Sequence, residues 1–185
     1  MPKVDRRIIK SQEAIKKAFI ELMIDKKIDQ ITIQEISDKA NVSRRTVYLH
    51  YTDKFDLLDQ LIEEHICELR KLCESEDNNG YIDTVLLWFE YFESHYLFFS
   101  TMLANQGGPF FRSRFLEFVL HELKSVESLT EGSSSGLNDG EDEDVIIQFF
   151  GSAIVGVVES WFKKEQPSSP PYMAQRVGAL LEKNL

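Results

Sequence analysis

The stretch "NVSRRTVYLHY", residues 41–51, gathers side chains suited to one kind of chemistry. Arg44 and Arg45 each carry a planar fork of donors that matches the two acceptors on a guanine edge or the oxygens of a phosphate. Thr46 and Leu49 can touch a thymine methyl, while Tyr48 and His50 can reach phosphate oxygens. No acid lies between Lys39 and Asp53, although the whole chain holds 31 Asp and Glu against 21 Lys and Arg, a formal net charge of −10. Residues 1–54 carry 12 Lys and Arg against 8 Asp and Glu, net +4, which leaves −14 on the remainder. A basic head on an acidic body is expected where the head meets a polyanion and the body stays away from it.

Other chemistries find no support. His50, His65, His95 and His121 are scattered without metal-ligand spacing or a paired nucleophile, and no glycine-rich phosphate loop occurs. Neither an enzyme nor a metal or cofactor site is therefore expected. Cys67 and Cys73 stand about 240° apart on a helix, which suits no shared metal, so two half-buried thiols in a reducing compartment are expected. The first residues are charged every few positions with no apolar run of signal-peptide length, and the expected location is cytoplasmic.

The elements that must hold these side chains read as helices almost everywhere, so the expected class is all-α. Ile8, Ile15, Ala18, Phe19, Leu22 and Met23 recur at three and four over residues 6–25. Thr32, with Glu35 three residues on, forms a capping box for a short helix bearing Ile33, Ile36 and Ala40. Asn41 tolerates a left-handed turn, and Ser43 caps the next helix, ending near His50. Thr52 or Asp53 then opens a long helix that reaches Cys73. Further helices are expected over "YIDTVLLWFEYFESHYLFFSTMLANQ", over "FFRSRFLEFVLHELKSVESL", at about 144–164 and at about 171–183, with a mobile loop over 130–144.

Two short helices joined by a tight turn, with small Ser37 after Ile36 and with Val42, Val47 and Tyr51 facing inward, have the packing code of a helix-turn-helix. At this point residues 7–54 resemble the DNA-binding domain of the TetR (tetracycline-repressor-like) family. "ITIQEISDKANVSRRTVYLHYTDKFDLL" is similar to that family's signature along its whole length. Two positions depart from the family pattern: Asn41 replaces the usual turn glycine, and Val47 stands where an aromatic or Leu is common. The resemblance implies a DNA-binding domain over 1–52 and an effector-binding and dimerisation domain over 53–185. It implies that Thr32 caps its helix on a phosphate, that Arg44, Arg45, Thr46 and Leu49 sit at base edges, with Ser43 on the same DNA-facing side, and that Tyr48, His50 and Lys54 clasp the backbone. A homodimer reading a palindromic operator in double-stranded DNA, in most cases as a ligand-responsive repressor, is implied as well.

In the body, residues 145–162 are apolar on nearly all sides. Gln148, Glu159 and the acidic run before them favour a helix buried at a protein interface over a membrane span. Phe150, Ile154, Val157 and Trp161, with Val177 and Leu181 from the last helix, are expected at a two-fold four-helix contact, an intrachain core being the alternative. Residues 81–118 hold 12 of the 21 aromatics. Trp88, Tyr91, Phe92, His95, Phe99 and Phe115 could line a pocket for a small apolar effector, with Arg112 or His121 as further polar markers. A tightly packed aromatic core fits the same composition. "GSAIVGVVESWF" and the Pro-rich break after it resemble a TetR subgroup common in Firmicutes. Some relatives of that kind work as activators with a protein partner, so a co-regulator docking on a protein is the second expectation.

Overall fold

The computed structural model describes residues 6–74, 80–104, 108–130 and 140–184. Along them run α1 (Arg6–Asp25), α2 (Ile33–Lys39), α3 (Arg44–His50), α4 (Lys54–Cys73), α5 (Tyr81–Ser94), α6 (Tyr96–Ala104), α7 (Gly108–Thr130), α8 (Gly140–Phe162) and α9 (Pro170–Asn184). One 3-10 turn at Ile28–Gln30 links α1 to α2, and there is no strand among the described residues. The protein is all-α.

The short helices at the N-terminal end are set by their caps. Thr32 Oγ1 accepts from Glu35 N–H at 3.2 Å, and the Glu35 carboxylate accepts from Thr32 N–H at 2.9 Å. The ammonium of Lys26, then the Thr32 backbone, hold the Glu35 carboxyl down to about 2. Asn41 takes φ 54°, and the N–H groups of Asn41 and Val42 donate to Asp38 O and Ser37 O. That pairing closes α2 with a left-handed cap and turns the chain into α3. Ser43 then accepts from Thr46 N–H at 3.1 Å, and Asp53 accepts from Phe55 and Asp56 N–H at the start of α4.

Two expected boundaries fall elsewhere. The aromatic segment is two helices rather than one, broken at His95 (φ −115°, ψ 31°). There Ser94 Oγ donates to Tyr91 O at 2.9 Å and His95 O accepts from Phe98 N–H, so local bonds replace the helical ladder. Of the loop expected over 130–144, residues 131–139 lie outside the described residues, while 140–144 already belong to α8.

The buried apolar side chains form one continuous cluster from Ile15 in α1 to Leu181 in α9, carried through α4 by Leu57, Leu61, Ile62, Ile66 and Leu69. In the body α9 packs chiefly on α5, and α7 on α8. Small residues permit both approaches: a Cβ on Gly178 would lie 2.5 Å from Ile82 Cα, and one on Gly151 would lie 2.6 Å from Leu120 Cδ2. Trp161 Nε1 donates to Ser168 O at 2.7 Å and ties the end of α8 to the link before α9. By length and composition Asp144–Phe162 could cross a bilayer. In the fold, Ile147, Gly151, Ile154, Val155, Val158, Trp161 and Phe162 of that helix are buried inside the protein.

Helix α4 is fastened on two sides by neighbouring acids. Glu64 pairs with Lys16 of α1, and Glu63 pairs with Arg114 of α7 at 3.0 Å.

Candidate nucleic-acid interface

The core side of the helix-turn-helix is closed. Val47 and Ile36 are fully buried, and Ser37, also buried, satisfies its hydroxyl on Gln34 O at 2.9 Å. Tyr51 is buried with its hydroxyl unpartnered, and burial pushes that phenol up to about 12. It acts here as an apolar ring.

The outer side is open. Ser43, Arg44, Arg45, Tyr48 and Leu49 are exposed, Leu49 to 72%, a large value for leucine on a short helix. Three lysines of the head pair with acids: Lys16 with Glu64, Lys26 with Glu35 and Lys39 with Glu21. Among the described residues no ion pair involves Arg44 or Arg45. Two guanidinium groups therefore stand unpaired on the face that carries the exposed Leu49, in a net-acidic chain. Thr46, half-buried, shares a 2.8 Å hydroxyl contact with Ser43 that holds both side chains at the start of α3.

Three expected backbone contacts have partners inside the chain. His50 Nε2 lies 3.3 Å from Ser11 Oγ of α1, leaving Nδ1 unassigned. The Thr32 hydroxyl lies 2.9 Å from a Glu35 carboxylate oxygen while it caps α2. Lys54 Nζ donates to Asp29 O and Ile31 O, both at 2.8 Å.

The six side chains expected around an effector divide into two groups. Trp88, Phe92, Phe99 and Phe115 are buried in one aromatic cluster, with Phe92 edge to face against Phe99 at 4.8 Å and against Phe115 at 6.0 Å, ring centre to ring centre. Trp88 Nε1 is buried with no nitrogen or oxygen partner and lies beside the Cys73 thiol. Tyr91 is half-buried and His95 exposed, their rings 4.1 Å apart. Arg112 and His121 face outward beside Glu159 and Glu122. Sequence reasoning missed His65 of α4, whose Nδ1 lies 2.7 Å from Tyr91 Oη and whose ring stacks 3.9 Å from Phe98. Burial, then His95, then Lys16 bring its imidazole down to about 3. Cys67 and Cys73 are half-buried free thiols, the latter pushed up to about 12 by burial.

Most of the residues expected at a subunit contact lie inside the single chain. Ile154, Trp161, Val177 and Leu181 are buried within the single chain, and Phe150 and Val157 are half-buried. Exposed on α8 among the residues described are Asp144, Val145, Ile146, Gln148, Phe149 (67% exposed), Ala153, Gly156 and Ser160, and the large apolar side chains exposed on α9 are Tyr172 and Leu180. A Cβ on Gly156 would meet nothing within 4 Å. The signal was present in the sequence: Phe149, Ala153, Gly156 and Ser160 recur at four, three and four and share one side of a helix.

Comparison with known proteins matches residues 15–61 to the family "Bacterial regulatory proteins, tetR family" and residues 81–183 to "Transcriptional regulator C-terminal region". The "Uncharacterized HTH-type transcriptional regulator YxbF" of Bacillus subtilis (strain 168) is 28% identical over 182 residues, covering 92% of this chain and 44% of that protein. The "HTH-type dhaKLM operon transcriptional activator DhaS" of Lactococcus lactis subsp. lactis (strain IL1403) is 28% identical over 99 residues, covering 54% of this chain and 52% of that protein. The matches thus span about half the length of these curated relatives. Among solved structures, a TetR transcriptional regulator from Streptococcus agalactiae 2603V superposes with a TM-score of 0.69 at 25% identity, covering 96% of each chain.

Proposed function

Since the chain belongs to the TetR family of transcriptional regulators, we propose that it is a cytoplasmic homodimer that reads a palindromic operator in double-stranded DNA and represses transcription until a small apolar effector binds its body. Residues 1–52 form the DNA-reading part and residues 53–185 the effector-binding and dimerising part. The observation that carries the DNA reading is the outer side of α3, where Arg44 and Arg45 are unpaired and Tyr48 and Leu49 exposed. Ser43, Thr46 and the arginines take base edges; Tyr48, His50 and Thr32 take phosphates. Pairing of two copies through the open residues of α8 and α9 puts two α3 helices on one side of the duplex, about 34 Å apart for successive major grooves. Selection of bound sites from random DNA by the unaltered protein tests this. An enriched inverted repeat is expected; recovery of no preferred sequence refutes it.

The effector reading is supported by the buried indole N–H of Trp88 within the aromatic cluster, beside the Cys73 thiol, the kind of polar handle that orients an apolar ligand. An effector acts only through its difference in affinity for two head spacings. A second reading, a co-regulator whose body docks on a protein, is favoured by the close edge-to-face packing of Phe92 against Phe99 and Phe115 and by the similarity to the activator DhaS. The two separate on one measurement: operator DNA is released on adding a metabolite in the first case, and on removing a protein in the second.

A further inference from the structure

Ser11 on α1 and His50 at the end of α3 meet in a way that fixes where the imidazole carries its hydrogen. The Ser11 hydroxyl gives its single hydrogen to Ile8 O at 2.8 Å, so towards the ring nitrogen 3.3 Å away its oxygen can only accept. His50 Nε2 is therefore the N–H side of the ring. In the neutral imidazole Nδ1 then holds a lone pair, which cannot bond to a phosphate oxygen, itself an acceptor. Nδ1 becomes a donor only when the ring takes a second proton.

The acids on the elements around this half-buried ring are already engaged. On α4, Asp53 caps the helix, Asp56 accepts from Thr52 N–H at 2.6 Å, and Glu64 pairs with Lys16. On α2, Asp38 accepts from Gln34 Nε2 at 2.7 Å and Lys39 pairs with Glu21. The Tyr51 ring lies 6.1 Å from the imidazole, edge-on, and its phenol, pushed up to about 12, stays uncharged. The charges on the turn of α1 before Ser11 and at the start of α3 are cations, Arg7 and Lys10 on the one and Arg44 and Arg45 on the other. Among the described residues no ion pair involves His50. A phosphate is thus the first anion to meet Nδ1, and an anion at hydrogen-bonding distance favours the charged ring.

We infer that Ser11 is a positioning residue that holds His50 in its Nε2–H form, so that contact of His50 with a DNA phosphate takes up a proton and operator binding strengthens as pH falls. This rests on the reading of α3 as a DNA interface. The complex binds more protons than the free protein, so affinity rises as pH falls through the range in which histidine changes charge, about pH 8 to 5, and levels once the free ring is charged too.

The test follows affinity for the operator obtained by selection across that range at constant ionic strength. It compares the unaltered full chain with Ser11→Ala, His50→Gln and, as a control in the body, His95→Gln. Proton uptake is read by calorimetry in two buffers of different ionisation enthalpy. The unaltered protein is expected to gain about tenfold for each His50 engaged, the scale of one neighbouring opposite charge. His50→Gln keeps an N–H donor that does not titrate, and its affinity hardly changes with pH. Ser11→Ala frees Nε2 to be the lone-pair side, so the neutral ring can offer Nδ1–H to phosphate and the pH dependence flattens while binding remains. His95→Gln behaves as the unaltered protein does. Absence of proton uptake, or a full pH dependence surviving in Ser11→Ala or in His50→Gln, or one lost in His95→Gln, overturns the inference. Should a variant not fold, the ring nitrogen resonances of His50 in the unaltered protein, labelled with nitrogen-15, decide. An Nε2–H ring in the free protein that carries hydrogen on both nitrogens in the complex supports the inference; a neutral Nδ1–H ring in either state overturns it. If the unaltered protein selects no site, the DNA reading falls and this inference with it; if it does and only the His50 results disagree, the inference falls alone.

Discussion

The outer side of α3 and the outer side of α8 share a property: both expose side chains that have no partner within the chain. They differ in chemistry. On α3 the unpartnered groups are two guanidinium ions, a phenol and one leucine; on α8 they are Val145, Ile146 and Phe149 with small Ala153, Gly156 and Ser160. A charged unpaired surface in a net-acidic chain suits a polyanion at a distance set by salt, whereas an apolar one with small residues suits a close, dry helix contact. The difference teaches that groups left without partners locate an interface, and that their chemistry specifies what covers it.

The largest effect is expected from breaking the charged side. Arg44→Ala together with Arg45→Ala lowers operator affinity by about 100-fold or more, at about 1–3 kcal/mol for each base-reading arginine. Circular dichroism and sedimentation remain those of the unaltered protein. Selective binding that survives in this variant would remove α3 as the reading surface.

Breaking the apolar side comes next. Phe149→Glu places a carboxylate on the open row of α8 and raises the dimer dissociation constant about 30-fold or more, the scale of a central interface residue. Because Phe149 is 67% exposed, the isolated chain keeps its thermal midpoint. Sedimentation equilibrium follows the shift to monomer; an undisturbed dimer would move the contact elsewhere.

The two close helix approaches should separate in size. Gly178→Ala drives a methyl against the Ile82 backbone and destabilises by about 1–3 kcal/mol. Gly151→Ala meets only the tip of Leu120, which can turn aside, so the helix preference for alanine holds its effect within about 1 kcal/mol. Urea unfolding of both variants measures the contrast.

The effect at the joint between these regions is spread over several pH units. His65 is neutral in the fold down to about 3, whereas its unfolded imidazole takes a proton near 6.5. Between those values the unfolded chain binds more protons, so stability falls as pH falls, by at most about 1.4 kcal/mol per pH unit from this group. His65→Phe flattens that part of the profile; a slope left unchanged would assign the acid sensitivity to other groups.

Much of the head was legible because its signals are local. Thr32 with Glu35, Asn41, Ser43 and Asp53 are caps and turns whose partners lie within a few residues, and each does in the fold what its type suggested. The body was read less well because its decisive facts are non-local. A helix apolar all round gives no phase, so Ile154 and Trp161 were placed at a subunit contact although they face their own chain. Nothing in the linear pattern tells that α9 lies on α5, or that His65 reaches Tyr91 across 26 positions. The break at His95 was hidden for another reason: aromatic periodicity continues through it while the backbone turns.

The adjacent acids Glu63 and Glu64 project about 100° apart on α4 and hold opposite neighbours, Arg114 in the body and Lys16 in the head. A helix tethered in this way cannot roll about its own axis without slackening one tether as it tightens the other. Exposed pairs of this kind are worth about 0.2–1 kcal/mol each, close to thermal energy. Two such tethers are too weak to fix the tilt of the head by themselves, and the buried side chains of α4 that join head and body in one core outweigh them.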